Sequence, residues 1–126
     1  MLITDGFHLS PDFIKVALRT KGVERFIVTS DAAPAAGLIP GKYTFGGQGI
    51  ILEETGLIRS SKGDYLAGSS ALLLDCINHL SSFGILSEEE LWQVGFFNPL
   101  KLLGKQLPES DYYMLPEVIY DGKKFR

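Results

Sequence analysis

Asp31 and His8 stand where side-chain chemistry is easiest to build in this chain of 126 residues. Each lies just past a short apolar run, His8 after Met1 to Thr4 and Asp31 after Phe26 to Thr29. A positioned carboxylate can take a proton and return it. Asp31 is also the one acid in FIVTSDAAPAAGLIPG, whose loop is made almost entirely of Ala, Gly and Pro. An alternative reading is that it caps the turn that follows. Other polar residues read more plainly. Glu88, Glu89 and Glu90 fall in a first helical turn, where the helix dipole favours negative charge, and Ser87 with Glu90 fits a capping box. His79 stands beside an apolar stripe and reads as a core-edge histidine. Cys76 lies among Leu72, Leu73, Leu74 and Ile77 and reads as an inert core residue. His8 and His79 are the only histidines, and no HxH or HExxH pattern supplies a metal site.

The elements that would position His8 and Asp31 follow from local signals. Met1 to Thr4 is a candidate strand, broken at Gly6. Ser10, Pro11 and Asp12 predict a helix start, and Gly22 predicts its end. Phe13, Val16, Ala17 and Thr20 share the predicted buried face, with Ile14 and Leu18 beside it. FIVTS is a strand without polar alternation, as in a sheet covered on both faces. Strand, helix, strand is the pattern of a parallel sheet, whose ligands bind at the carboxyl ends of the strands. His8 and Asp31 are therefore expected at one end of the sheet.

Lys42 to Ser61 predicts two or three short antiparallel strands, with turns at Gly46-Gly47 and Thr55-Gly56. LAGSS, Leu66 to Ser70, is expected to open the next helix, with Ser69 or Ser70 as its cap and with Leu73, Cys76, Ile77 and Leu80 as its stripe. Pro99 starts a short helix that Gly104 closes. The segment ending in VIYDGKKF predicts a hairpin around Asp121-Gly122, and Gln106 to Pro116 is the best boundary candidate.

The totals limit the function classes. The chain is 45% hydrophobic and 21% charged, so it can bury a core. A net charge of −3, with only a short basic end at Lys123, Lys124 and Arg126, predicts neither a nucleic-acid nor an anionic-membrane partner. A single cysteine allows no internal disulfide. No apolar run approaches the roughly 20 residues of a membrane span, and no signal peptide is evident, so a cytoplasmic location is expected.

DGFH, VTSDAAPAAG, LAGSS and NPLKLLG occur here in that order. This series resembles the C-terminal part of the N-acetylglucosamine-6-phosphate deacetylases of the amidohydrolase superfamily, up to Gly104. The resemblance implies an α/β fold: the last two strand–helix units of a (β/α)8 TIM barrel, interrupted by a β excursion, over residues 1–105. Residues 106–126 would be closing strands of a small β-sandwich domain. It implies a hydrolase that converts N-acetylglucosamine 6-phosphate to glucosamine 6-phosphate and acetate. Asp31 matches the family's proton-shuttling carboxylate, which takes a proton from the attacking water and delivers one to the leaving amine. Asp5, Gly6, Phe7 and His8 match one substrate-binding loop, in which His8 contacts the substrate. Leu66, Ala67 and Gly68 match another. The family most often has Thr before the aspartate, where this chain has Ser30.

The resemblance also implies a divalent metal, zinc or similar, in the complete enzyme. Its ligands, a glutamate and two histidines, belong to earlier strands, so this chain alone is expected to bind none and to be inactive. A barrel takes about 250 residues, more than are present. Edge strands without neighbours imply a fragment, a second chain carrying the other strands, or a rearranged homo-oligomer. A non-catalytic truncated remnant or binding module, and a free-standing small α/β fold, are the alternative readings.

Overall fold

The computed structural model describes residues 1–63, 65–105 and 118–126. Strand β1 (Leu2–Ile3), helix α1 (Pro11–Lys21) and strand β2 (Val28–Thr29) form the expected unit, with Leu2 paired to Val28 and Ile3 to Thr29 in parallel. Helix α1 starts where the sequence signals place it. Ser10 Oγ accepts from the Phe13 amide at 3.3 Å, Pro11 occupies the first turn, and Gly22, at φ 74°, closes the helix. Its buried side differs from the expected face. Ile14 and Leu18 enter the core, whereas Phe13 and Val16 are 53% and 61% exposed. Both sets of residues are spaced for one helical face, and it is the β1–β2 pair and its neighbours that select between them.

Four antiparallel strands follow: β3 (Gly41–Phe45), β4 (Gln48–Leu52), β5 (Leu57–Ser60) and β6 (Leu66–Ser69), paired in that order. Gly46 and Gly47, both at positive φ, make the two-residue turn that joins β3 to β4. Leu66 to Ser69 is thus the last strand of this sheet and not the opening of a helix. Helix α2 (Leu73–Ser81) begins after Leu72, whose amide donates to Asp75 Oδ2 at 2.9 Å, so Asp75 supplies the cap expected of Ser69 or Ser70. Cys76, Ile77 and Leu80 are buried, and Leu73 remains 42% exposed.

Helix α3 (Glu88–Trp92) carries the expected capping box: Glu90 N donates to Ser87 Oγ at 3.3 Å and Ser87 N donates to Glu90 Oε2 at 2.8 Å. It continues through a π-helical turn (Gln93–Phe97) into α4 (Asn98–Leu102). Pro99 accounts for the wide turn. Proline has no amide proton, and its ring collides with the carbonyl four residues earlier, so the helix loosens over the turn before it.

One core joins Ile14 and Leu18 of α1, Phe26 and Val28, Cys76, Ile77 and Leu80 of α2, Leu91, Val94 and the C-terminal Phe125. Phe125 belongs to a hairpin closed around Asp121-Gly122, with Tyr120 bridged to Phe125. Asn78 grips this hairpin from α2: its Nδ2 donates to Phe125 O at 3.0 Å and its Oδ1 accepts from Phe125 N at 2.6 Å. The expected boundary, Gln106 to Pro116, lies outside the described residues. A smaller cluster, Ala35, Ile50, Leu52 and Ile58, seats the four-stranded sheet on the loop after Asp31.

Candidate functional site

Two long-range bonds fix the carboxyl end of β1. Thr4, fully buried, donates from Oγ1 to Cys76 O at 2.8 Å. His79 Nδ1 bonds Thr4 O at 2.9 Å, and because a carbonyl only accepts, the proton is on His79 Nδ1. His79 therefore anchors the strand from helix α2. Cys76, beside it, has no exposed surface, and burial pushes its thiol up to about 11, so the thiol stays protonated at neutral pH.

The chain turns next through Asp5 to His8. The Asp5 side chain is 1% exposed and makes four bonds. Its Oδ1 accepts from the amides of Phe7 at 3.0 Å and His8 at 3.1 Å. Its Oδ2 accepts from His8 Nδ1 at 2.8 Å and from Ser69 Oγ at 3.1 Å. Burial opposes ionisation of Asp5, but the His8 and Phe7 amides and the His8 ring outweigh it, and the carboxyl titrates below the ordinary aspartate value. Gly6 is at φ 85°, and a Cβ there would lie 3.1 Å from His79 Nε2, so glycine meets both a backbone and a space requirement. Phe7 is exposed, and the His8 side chain keeps 22% of its surface.

Asp31 lies just past β2, after Ser30, and is exposed. At φ 46° it is the one non-glycine residue in the left-handed region among the described residues. Aspartate tolerates this region better than most residues, and such conformations gather at functional sites. The turn beyond it is closed by backbone, Ala36 N to Ala33 O and Leu38 N to Ala35 O, so the capping alternative is not what closes that turn. The small residues of this loop also have a packing reason. Ala35 is fully buried, and Ala33 packs against the sheet.

Strand β6 connects the parts. Ala32 forms a parallel bridge with Ser69, and Ala33 N donates to Ser69 O at 2.8 Å. Ser69 is 2% exposed and, through Oγ, also reaches Asp5. The segments Asp5–His8, Asp31–Ala33 and Leu66–Ser69 thus meet at one serine. Gly68 allows the approach: it is at φ 127°, and a Cβ would lie 2.7 Å from Ala33 Cβ. Gly68→Ala is expected to destabilise the fold by about 2 kcal/mol through backbone strain and this clash, read as a lowered melting temperature. By the same measurement Gly37→Ala, at a glycine with nothing within 4 Å of the added Cβ, bears only the strain.

Ser69 and Asn98 are the residues that sequence reasoning missed, while His79 is the core-edge histidine expected, with an anchoring bond to Thr4 O. Asn98 is 3% exposed and donates to Val23 O and to Phe26 O, both at 2.7 Å, so it holds the entry of the strand that ends at Asp31. Its only sequence signal is its place before Pro99. Among the described residues no group of three or more His, Cys, Asp and Glu could hold a metal ion. Asp5 spends its lone pairs on protein donors, and the two histidines are tied to different partners, His8 to Asp5 and His79 to Thr4 O. The described residues therefore do not make up the ligand set that the family resemblance implies.

No family model matches the chain. It is 32% identical over 105 residues to the N-acetylglucosamine-6-phosphate deacetylase of Vibrio furnissii, which covers 83% of this chain and 26% of that protein. It is 33% identical over 104 residues to the enzyme of the same name from Bacillus subtilis, covering 82% and 26%. Among solved structures, N-acetylglucosamine-6-phosphate deacetylase from Thermotoga maritima matches with a TM-score of 0.74 and 31% identity, over 82% of this chain and 28% of that one. The enzyme from Mycobacterium smegmatis, an aspartate-to-alanine variant in complex with N-acetyl-D-glucosamine-6-phosphate, matches with a TM-score of 0.75 and 26% identity, over 82% and 28%. The chain therefore spans about a quarter of the length of the relatives it matches. In sequence and in fold it is a relative of the N-acetylglucosamine-6-phosphate deacetylases, matching a share of their length consistent with a C-terminal portion.

Proposed function

We infer that this chain is the proton-transfer and substrate-loop portion of an N-acetylglucosamine-6-phosphate deacetylase, cutting the acetamide to glucosamine 6-phosphate and acetate. The observation that carries the reading is the convergence on Ser69 of the three segments that resemble the family's motifs. In this reading Asp31 is the general base and acid. Amide cleavage needs both roles, since water attacks as a proton leaves it and the amine departs only once protonated. A carboxylate at a strand end, exposed on one side and fixed by the bridge at Ala32, can serve in turn. His8, Phe7 and Gly6 line one side of the bound sugar, with Leu66, Ala67 and Gly68 on the other, while Asp5 supports His8 from behind.

The parallel β1–β2 pair would belong to a larger barrel, with the C-terminal hairpin a closing piece of the small β domain. The remaining strands, with the metal-binding residues, would come from the rest of the gene product or from a second chain. Two features support that need: the sheet has only two strands among the described residues, and the Phe13 and Val16 side of α1 is left exposed. A cytoplasmic location is part of the reading.

Acetate release from N-acetylglucosamine 6-phosphate tests it. Activity is expected from the gene product extended upstream of Met1, and none from residues 1–126 alone. An extended protein that carries the metal-binding strands and leaves the substrate intact overturns the reading in favour of a non-catalytic remnant. His8→Ala is expected to raise KM about tenfold or more, as a lost polar contact would, and to leave the metal content unchanged. Metal analysis beside the kinetics checks both halves of that expectation.

A further inference from the structure

Asp5 is bonded in a way that determines which atom of His8 can meet a ligand. Its Oδ1 is taken by the Phe7 and His8 amides, and its Oδ2 by His8 Nδ1 and Ser69 Oγ. With the side chain 1% exposed, no face of the carboxylate remains for a sugar. An ionised carboxylate only accepts, so the proton between Asp5 and His8 sits on Nδ1. His8 is then left with Nε2 as the ring nitrogen without a partner among the described residues, on a side chain that keeps 22% of its surface. Its own amide is tied to Oδ1, and its Nδ1 is tied to Oδ2 of the same carboxylate.

We propose that Asp5 is a positioning residue that fixes His8 in the Nδ1–H tautomer with Nε2 presented to the substrate, and that Ser69 locks this pair to the loop beside Asp31. The proposal rests on the functional reading above for the identity of the substrate. The tautomer itself follows from the four bonds. Ser69 makes the device more than a local turn, because it bonds Asp5 through its side chain and Ala33 through its carbonyl. A shift of the Asp5–His8 loop is therefore passed to the segment that carries Asp31 by one residue, through short bonds. The depressed titration of Asp5 agrees with a carboxylate that stays ionised in this role.

The test uses the full gene product. Nitrogen-15 NMR of its histidines, above about pH 8 where imidazole is ordinarily neutral, reads the tautomer directly. The expected result is Nδ1–H at His8, replaced in Asp5→Asn by Nε2–H or by a mixture. In kinetics with N-acetylglucosamine 6-phosphate, Asp5→Asn is expected to raise KM about tenfold while kcat changes far less. In a His8→Ala background it should add no further increase, since Asp5 acts through that ring. An Nε2–H tautomer in the unaltered protein overturns the proposal, as does an Asp5→Asn effect on KM that persists in full without His8. The tautomer is read without turnover. Nδ1–H at His8 in a protein that does not cleave this sugar therefore keeps the positioning role and removes only the functional reading.

Discussion

Asp31→Asn is expected to lower deacetylation by the complete protein about a thousandfold, within the range that general acid–base groups contribute, and to leave its melting temperature nearly unchanged. The two halves of this expectation have separate physical grounds. Asn matches Asp in shape and tolerates the left-handed backbone at φ 46°, so the strand end and the bridge from Ala32 to Ser69 should persist. The side chain is exposed, and none of the four ion pairs among the described residues depends on its charge. On the proposed reading, what the substitution removes is the ability to hold a proton between water and the leaving nitrogen. Asp31→Ala is a useful contrast, because it loses the same chemistry and also places a residue less tolerant of positive φ at the strand end. It should fall at least as far in turnover and also lose about 1 kcal/mol of stability. Steady-state kinetics with N-acetylglucosamine 6-phosphate and thermal melts of the three proteins decide the matter. Turnover of Asp31→Asn within a few-fold of the unaltered protein removes Asp31 from the chemistry.

Much of what surrounds this residue is written locally in the sequence. Ser10, Pro11 and Asp12 place the start of α1, and Gly46-Gly47 places a hairpin, because caps and tight turns depend on a few adjacent residues. The positions of His8 and Asp31 just past parallel strands also follow from pattern, since β1 and β2 pair as strand–helix–strand order demands. The failures are non-local. Helix α1 carries two apolar sets, Phe13 with Val16 and Ile14 with Leu18, and spacing alone cannot say which one meets the core. LAGSS has the small and hydroxylated residues of a helix start, yet it pairs with Leu57 and Arg59 on one side and with Ala32 on the other. The pairing with the preceding strand and the bridge to Ala32, far back in the sequence, outweigh the capping tendency of Ser69. The same distance hid Ser69 as the meeting point of the site, because a serine in a run of small residues carries no pattern of its own. The alanines after Asp31 have a non-local reason as well: Ala35 and Ala33 are small because a sheet packs on them.

Asn98 shows how far such a hidden contact can matter, and its replacement is expected to have the largest effect on stability. Asn98→Leu should destabilise the fold by about 3 kcal/mol, from two buried hydrogen bonds lost and one buried carbonyl left without a donor. Val23 O still accepts from Phe26 N at 3.1 Å, so the heavier loss falls on Phe26 O, at the threshold of β2. Leucine is close to asparagine in size, so the substitution opens no large cavity, and the lost polar pairing dominates. Asn98 also accepts from Gln93 Nε2 at 2.6 Å across the π-helical turn, which ties the widened helix to the strand it supports. Asn98→Asp separates geometry from donation: it keeps the shape and the acceptor for Gln93 but cannot donate to the two carbonyls when ionised. It should be at least as destabilised as Asn98→Leu at neutral pH, because it sets a buried carboxylate against carbonyl oxygens, and it should recover in part on acidification, when the carboxyl regains a proton to donate. Urea unfolding at neutral and acidic pH measures both. A midpoint for Asn98→Leu that matches the unaltered protein would mean that water replaces the side chain at Phe26 O. The strand leading to Asp31 would then be held by its pairing with β1 and by the core around Val28, with no need of the asparagine.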